Sequence, residues 1–204
     1  MTTTTVKNPS QLVNQSSGAV EYYTPKVWTD AAREVMGSIE LDPASSLAAN
    51  LIVMAEQFYS REDDGLSKEW KANTLWMNHP FHRGEKACPK DRSKCKKKAC
   101  EKRGYHIDED IPNNLDWVEK LISEYQSGNV KEAICITFAN TSETWFRKLL
   151  PYPQCYPNGR VQYYKPDGTI DNNVTKGSCI TYLGPNLDKF NAVFKHLGTV
   201  KVSM

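Results

Sequence analysis

The stretch "LWMNHPF", Leu75 to Phe81, decides how this chain is read. It opens as an apolar run fit for a strand buried on both faces, the kind found in a parallel sheet covered by helices. The run then breaks off on an amide, an imidazole, a proline and an aromatic ring. A buried strand that stops on polar and stacking groups places those groups at its carboxyl end.

The segments on either side alternate between helix and strand. "TPKVWTDAAREVMG" reads as a helix with Thr24 at the N-cap, Pro25 at the first helical position and Gly37 past the end. "SIELD" is a short strand stopping at "DPASS", "SLAANLIVMA" is helical, and "NTLWMN" is the next strand. "NNLDWVEKLISEYQSG" carries Leu115, Val118, Leu121, Ile122 and Tyr125 at helical spacing and ends at Gly128. "EAICITF" is an apolar strand, "TSETWFRKLL" a capped helix, and "GRVQYYKPDG" a strand entering a Pro-Asp-Gly turn. The strand "SCITYLG", the helix "NLDKFNAVFKHLG" and the strand "TVKVSM" follow. This pattern predicts an α/β fold with a mainly parallel sheet, helices on both faces, and room for antiparallel strands late in the chain. Trp70, Trp76, Trp117 and Trp145 are expected in the core.

With 204 residues, 39% of them hydrophobic, the chain suits one domain with a full core and a small appendage. The opening "MTTTTVKNPSQLVNQSSGAV" has no basic, apolar secretory pattern, and no apolar run approaches the roughly 18 residues a membrane helix needs. The expectation is a soluble protein with a polar, flexible tail over residues 1–20 and its domain over 21–204.

Charge is concentrated in one place. Residues 83–106 hold ten Lys/Arg against three acids, a net +7, which leaves −5 on the other 180 residues. Local positive charge on a mildly acidic body suits contact with a polyanion such as nucleic acid. Arg83, Lys94, Lys96, Lys97, Lys98, Lys102 and Arg103 are the candidate contacts; a solvated lysine-rich loop is the plainer reading. The same segment spaces Cys88, Cys95, Cys100 and His106 so that three thiolates and an imidazole lie within 19 residues. Such a set can close a tetrahedral zinc site and staple an insertion, about 82–112, that has little apolar content of its own. Free thiols, or one disulfide with a cysteine left over, are the alternatives. Cys135, Cys155 and Cys179 fall in or beside strands and read as buried small hydrophobes.

In open α/β sheets ligands bind beyond the carboxyl ends of the strands. Two strands end informatively, at Asp42 and Asn78. The Asn78 amide and the backbone carbonyl of His79 offer hydrogen-bond acceptors, Pro80 stiffens the turn, and Phe81 offers a ring face. Together they suit a planar heterocycle bearing an exocyclic amine.

"NHPF" resembles the Asn/Asp-Pro-Pro-Tyr/Phe tetrapeptide of amino-methyltransferases, which transfer a methyl group from S-adenosylmethionine to adenine N6 or cytosine N4. "YYTPKVW", "LDPASS", "FYSREDDGLSKEW", "LWMNHPFHRG", "WVEKLISEY", "TSETWF", "GRVQYYKPDG" and "GSCITYLG" occur in an order similar to that of the small DNA N6-adenine methyltransferases of bacteriophages and prophages. The likeness spans roughly residues 20–200. It implies a Rossmann-like class I methyltransferase fold, DNA (duplex or single-stranded) as substrate, the cytoplasm of a bacterial host as setting, and S-adenosylmethionine as methyl donor. It also implies roles. Asn78 and the His79 carbonyl would accept hydrogen bonds from the target amine while Phe81 stacks on the base. Tyr23, Thr24 and Pro25 would line the cofactor site, Asp42 and Pro43 would sit beside the methionine moiety, and Asp64, with Asp63 as near alternative, would contact the adenosine. His79 departs from the family's usual proline, "DPASS" lacks the glycine-rich cofactor pattern of larger members, and no long target-recognition domain is present. A nucleic-acid-binding relative without catalysis, a cytosine-N4 or RNA-adenine enzyme, and an RNA-binding zinc finger are the other readings.

Overall fold

The computed structural model describes residues 22–165, 168–171 and 174–202. The tail expected over residues 1–20 lies outside the described residues, as do Pro166 and Asp167 of the Pro-Asp-Gly turn.

Among the described residues, nine strands and six α-helices follow in chain order: α1 (Lys26–Met36), β1 (Leu41–Asp42), α2 (Leu47–Val53), β2 (Gln57–Phe58), β3 (Ala72–Met77), β4 (Arg83–Glu85), α3 (Lys98–Arg103), β5 (Ile111–Asn113), α4 (Asn114–Gln126), β6 (Val130–Phe138), α5 (Thr144–Arg147), β7 (Gln154–Pro157), β8 (Ser178–Leu183), α6 (Leu187–Phe194) and β9 (Gly198–Lys201). Seven strands form one sheet in the order β2-β1-β3-β6-β8-β7-β9. The block β2-β1-β3-β6 is parallel, whereas β8 runs against both β6 and β7, and β9 against β7. The fold is therefore α/β with a mostly parallel sheet, an arrangement compatible with a Rossmann-like architecture.

Side-chain alternation along the central strands divides the core into two layers. Trp76, Ile134 and Ile136 point to one face, where Ala32 and Val35 of α1 and Phe190 and Phe194 of α6 cover them. Leu75, Met77, Ala133 and Cys135 point to the other, under Val118 and Leu121 of α4 and Phe146 of α5. Burial on both faces explains why these strands read as unbroken apolar runs. Trp70, Trp76, Trp117 and Trp145 all lie in the core, as do Cys135, Cys155 and Cys179.

The structure departs from the sequence reading at three points. Helix α1 begins at Lys26 with Pro25 in the N-cap position, so Thr24 is not the cap. The short strand β2 forms inside a segment read as loop, because Gln57 and Phe58 pair with Leu41 and Asp42. The strand expected over 159–168 forms earlier, as β7, and within 159–165 Tyr164 makes only isolated bridges to Tyr23 and Ile170. β7 is held between β8 and β9, where buried Gln154 donates to Thr181 Oγ1 at 3.1 Å.

The charged insertion is a separate unit. β4 and β5 pair antiparallel, Arg83 opposite Asn113 and Glu85 opposite Ile111, and form its stem. Asn113 also caps α4 in a capping box with Asp116, so stem and helix share a junction.

Candidate active site and metal centre

From β1 the chain passes outward to β2, whereas from β3 it passes to β6 on the other side. Adjacent strands whose connections leave in opposite directions open a crevice at their carboxyl ends, the usual ligand position of such sheets. Here those ends carry Asp42 and Asn78.

Asp42 is 2% exposed, and one carboxylate oxygen accepts from the Ala44 N–H at 3.1 Å. Burial pushes its carboxyl up from 3.8 to about 7, the Ala44 hydrogen bond opposing only part of the rise. Pro43 follows, and its carbonyl lies so close to Gly65 that a Cβ built there would stand 1.9 Å from the oxygen. Gly65 thereby brings the "DDGL" turn against the "DPASS" loop. The two acids of that turn differ. Asp63 accepts from both the N–H and the hydroxyl of Ser60 at 2.8 Å, which holds its carboxyl below the usual range. Asp64 is exposed, sits in the left-handed region at φ 51° and has no side-chain partner among the described residues.

Asn78 is half-buried, and its Nδ2 donates to Thr24 Oγ1 at 2.9 Å. This contact, not a helix cap, is the role of the buried Thr24 hydroxyl. With Nδ2 donating to Thr24, Oδ1 has no partner among the described residues and is left free to accept. Tyr23 and Pro25, on either side of Thr24, are both half-buried, and Tyr23 is tied by its backbone to Tyr164.

His79 is 1% exposed and acts in the interior. Its Nε2 lies 3.1 Å from Asn114 Oδ1, which can only accept, so Nε2 carries the proton. The ring stacks on Trp117 at 6.1 Å and meets Trp145 edge-on at 6.5 Å, and Nδ1 is buried with no partner among the described residues. Burial lowers its pKa from 6.5 to about 4, so the imidazole is neutral. Pro80 is exposed. Phe81 packs on Phe138 with ring centroids 4.1 Å apart, and Lys176 Nζ stands 5.1 Å from the centre of the Phe138 ring. Phe138 ends β6 on the same sheet edge; the rule that singled out Asp42 and Asn78 also applies to it. Asn114 carried no signal in the sequence.

In the insertion, the ligand atoms of Cys88, Cys95, Cys100 and His106 all lie within 4.8 Å of one another. The Cys88–Cys100 and Cys95–Cys100 sulfur separations are 3.3 and 3.8 Å. These are too long for a disulfide and close to the ~3.8 Å expected between thiolates of a tetrahedral site with bonds of about 2.3 Å. Burial disfavours the Cys88 thiolate, but hydrogen bonds from the Ile107 backbone and from Cys100, His106 and Cys95 outweigh it and bring it down to about 6. Burial and the neighbouring sulfurs push Cys100 up to about 11. The cluster can hold a metal ion.

The cations of this unit divide into two groups. Arg103 grips Glu85 with both ends of its guanidinium, at 2.8 and 3.0 Å, and touches Cys100 Sγ at 3.3 Å. Lys97 lies 3.5 Å from the same carboxylate and also donates to the Lys86 carbonyl. These two are structural, not free contacts as their place in the charge run suggested. Lys94 pairs with Asp91 at 3.3 Å but stays exposed, and Lys86 and Arg92 pair with Asp110 and Asp108. Arg83, Lys96, Lys98 and Lys102 are exposed with no side-chain partner among the described residues. On α3, Lys98 and Lys102 share the face opposite Cys100 and Arg103.

Among the described residues no helix is long and apolar enough to cross a membrane. Comparison of the chain with protein-family models, with curated proteins and with solved structures returned no match.

Proposed function

We propose that this protein transfers a methyl group from S-adenosylmethionine to the exocyclic N6 of adenine in DNA. The observation that carries the reading is Asn78: an amide whose nitrogen is held by Thr24, with its oxygen left to accept, at the carboxyl end of β3 beside the buried Asp42. An acceptor held in this way orients an exocyclic amine, and alignment is most of what direct methyl transfer requires.

The residues present fit the donor molecule. Asp42, reluctant to ionise unless a positive group lies near, matches the ammonium of the methionine moiety, and the exposed Asp64 carboxylate matches ribose hydroxyls. When bound, S-adenosylmethionine supplies an electrophilic methyl on a sulfonium. Asn78 Oδ1 and the His79 carbonyl would accept from the two amine hydrogens and aim the nitrogen lone pair, while Phe81, backed by Phe138, would face the base. Transfer of that methyl to the aimed nitrogen would leave the amine with one proton to lose, and that proton would pass to solvent. His79 does not take it, since its Nε2 is already protonated and its Nδ1 is sealed in the core. The base must leave its stack or arrive single-stranded to reach such a site.

The insertion would hold structural zinc on Cys88, Cys95, Cys100 and His106 and present Arg83, Lys96, Lys98 and Lys102 to the phosphate backbone. One zinc per chain, lost in Cys100→Ser, is the expected metal analysis. The function is tested with radiolabelled S-adenosylmethionine on duplex DNA, single-stranded DNA and RNA, followed by nucleoside analysis. The wild type should yield N6-methyladenine and Asn78→Ala should not, with its folding intact. No label in any substrate, together with salt-sensitive DNA binding, would instead identify a nucleic-acid-binding protein without catalysis.

A further inference from the structure

The turn that carries the acceptors is closed by a single residue outside it. Asn114, the first residue of α4, accepts from His79 Nε2 through its side chain at 3.1 Å and donates its backbone N–H to the His82 carbonyl at 3.0 Å. The two bonds span the whole segment from His79 to His82, with Pro80 and Phe81 between them. Asn114 is itself anchored: the preceding Asn113 accepts from the N–H groups of Leu115 and Asp116 and pairs with Arg83 across the insertion stem. His79 makes this clamp possible because its ring is confined by Trp117 and Trp145, so its one protonated nitrogen has one direction in which to point.

We propose that Asn114 is a positioning residue for the methyl-accepting site: by holding the His79 ring it sets the direction of the His79 carbonyl and the seat of Phe81. This rests on the methyltransferase reading, in which that carbonyl and that ring meet the target base. In that reading Asn114 acts through His79 and His82 and not by touching substrate or methyl donor. Its loss therefore acts on turnover and on base engagement, not on donor affinity. A displacement of the turn by a fraction of an ångström is enough, since misplacing aligned groups by 1 Å can cost about 100-fold in rate.

The test compares wild type with Asn114→Leu, which removes the acceptor, and Asn114→Asp, which keeps an oxygen in the same place. The backbone N–H to His82 survives in both. Turnover, KM for each substrate and melting temperature are measured, and the hydrogen-bonded Nε2 proton of His79 is followed by nitrogen-15 NMR. Expected in Asn114→Leu is a fall in kcat of about ten-fold or more, donor KM unchanged within about two-fold, and loss of the protected Nε2 proton. Asn114→Asp should recover most of the turnover and keep that proton protected. Equal turnover in all three proteins overturns the proposal, as does a loss in Asn114→Leu that follows its melting temperature and is not recovered by Asn114→Asp. If the wild type methylates no nucleic acid, the functional reading fails first. The NMR arm then decides the clamp alone: an Nε2 proton equally protected in wild type and Asn114→Leu overturns it.

Discussion

Replacing Asp42 by an asparagine should make the ligand-free protein more stable at neutral and alkaline pH, and by an amount that depends on pH in a calculable way. The folded chain raises this carboxyl from 3.8 to about 7 through burial, while the unfolded chain leaves it near its ordinary value. Below about pH 4 the group is neutral in both states, and its contribution to stability is intact. As pH rises the unfolded state ionises first and stability is lost, until above about 7 both states are ionised and the loss is complete. Each pH unit between the two values is worth about 1.4 kcal/mol. The gap therefore amounts to about 4 kcal/mol near pH 8. The amide introduced by Asp42→Asn would still offer an oxygen to the Ala44 N–H but cannot ionise. The stability difference between variant and wild type should thus widen by about 4 kcal/mol from pH 4 to pH 8, or roughly 10 °C in melting temperature for a chain of this size. His79 works in the opposite sense. Its folded pKa is lowered from 6.5 to about 4, so its contribution is present above 6.5 and is lost as pH falls toward 4. That trend is common to both proteins and cancels in the difference. Urea denaturation at stepped pH without cofactor measures it. Parallel curves for the two proteins from pH 4 to 8 would mean that Asp42 ionises normally when folded, and the argument from burial would be wrong. Under the proposed function the stabilised variant should also bind S-adenosylmethionine more weakly, because the donor's ammonium would have lost a carboxylate partner.

Four further outcomes are expected, those on turnover, donor and DNA following from the proposed function. Thr24→Val, which removes the acceptor for Asn78 Nδ2, should lower kcat by roughly five-fold, the worth of about 1 kcal/mol of orientation; unchanged kcat would mean that Asn78 is held by other means. Gly65→Ala should destabilise the protein by about 1–3 kcal/mol and weaken donor binding, since its Cβ would strike the Pro43 carbonyl; an unchanged melting temperature would show that the two loops are not locked together. Joint replacement of Lys96, Lys98 and Lys102 by Gln should reduce the slope of log affinity for DNA against log salt by about 3 and leave melting unaffected. Arg103→Gln, by contrast, should loosen the insertion, since it removes the partner of Glu85.

Reading this chain from its residues alone succeeds where the controlling physics is local or strongly periodic. Strands covered on both faces must be apolar throughout, so β3, β6 and β8 are visible as runs, and the α4 helix is visible from its spacing and its cap. Direction follows from alternation with helices, and from direction comes the expectation that strand-terminal Asp42 and Asn78 share one edge. Cysteine spacing announced a metal-holding set, and the four ligand atoms do converge.

What escaped the sequence depends on partners far along the chain. Thr24 looked like a cap because its neighbours favour one; its actual partner is 54 residues away. The charge run looked uniformly available for nucleic acid, yet Lys97 and Arg103 are taken by Glu85, and Lys86 and Arg92 by the acids that follow His106. His79 looked like the source of a backbone carbonyl only, and its ring proved to be a buried aromatic held by Asn114, 35 residues on. Caps, runs and periodicities are written in neighbouring residues and can be read there. Which hydrogen-bond donor meets which acceptor is settled only when the sheet and the insertion stem close, because each buried polar group must find a partner among whatever the finished fold brings within about 3 Å.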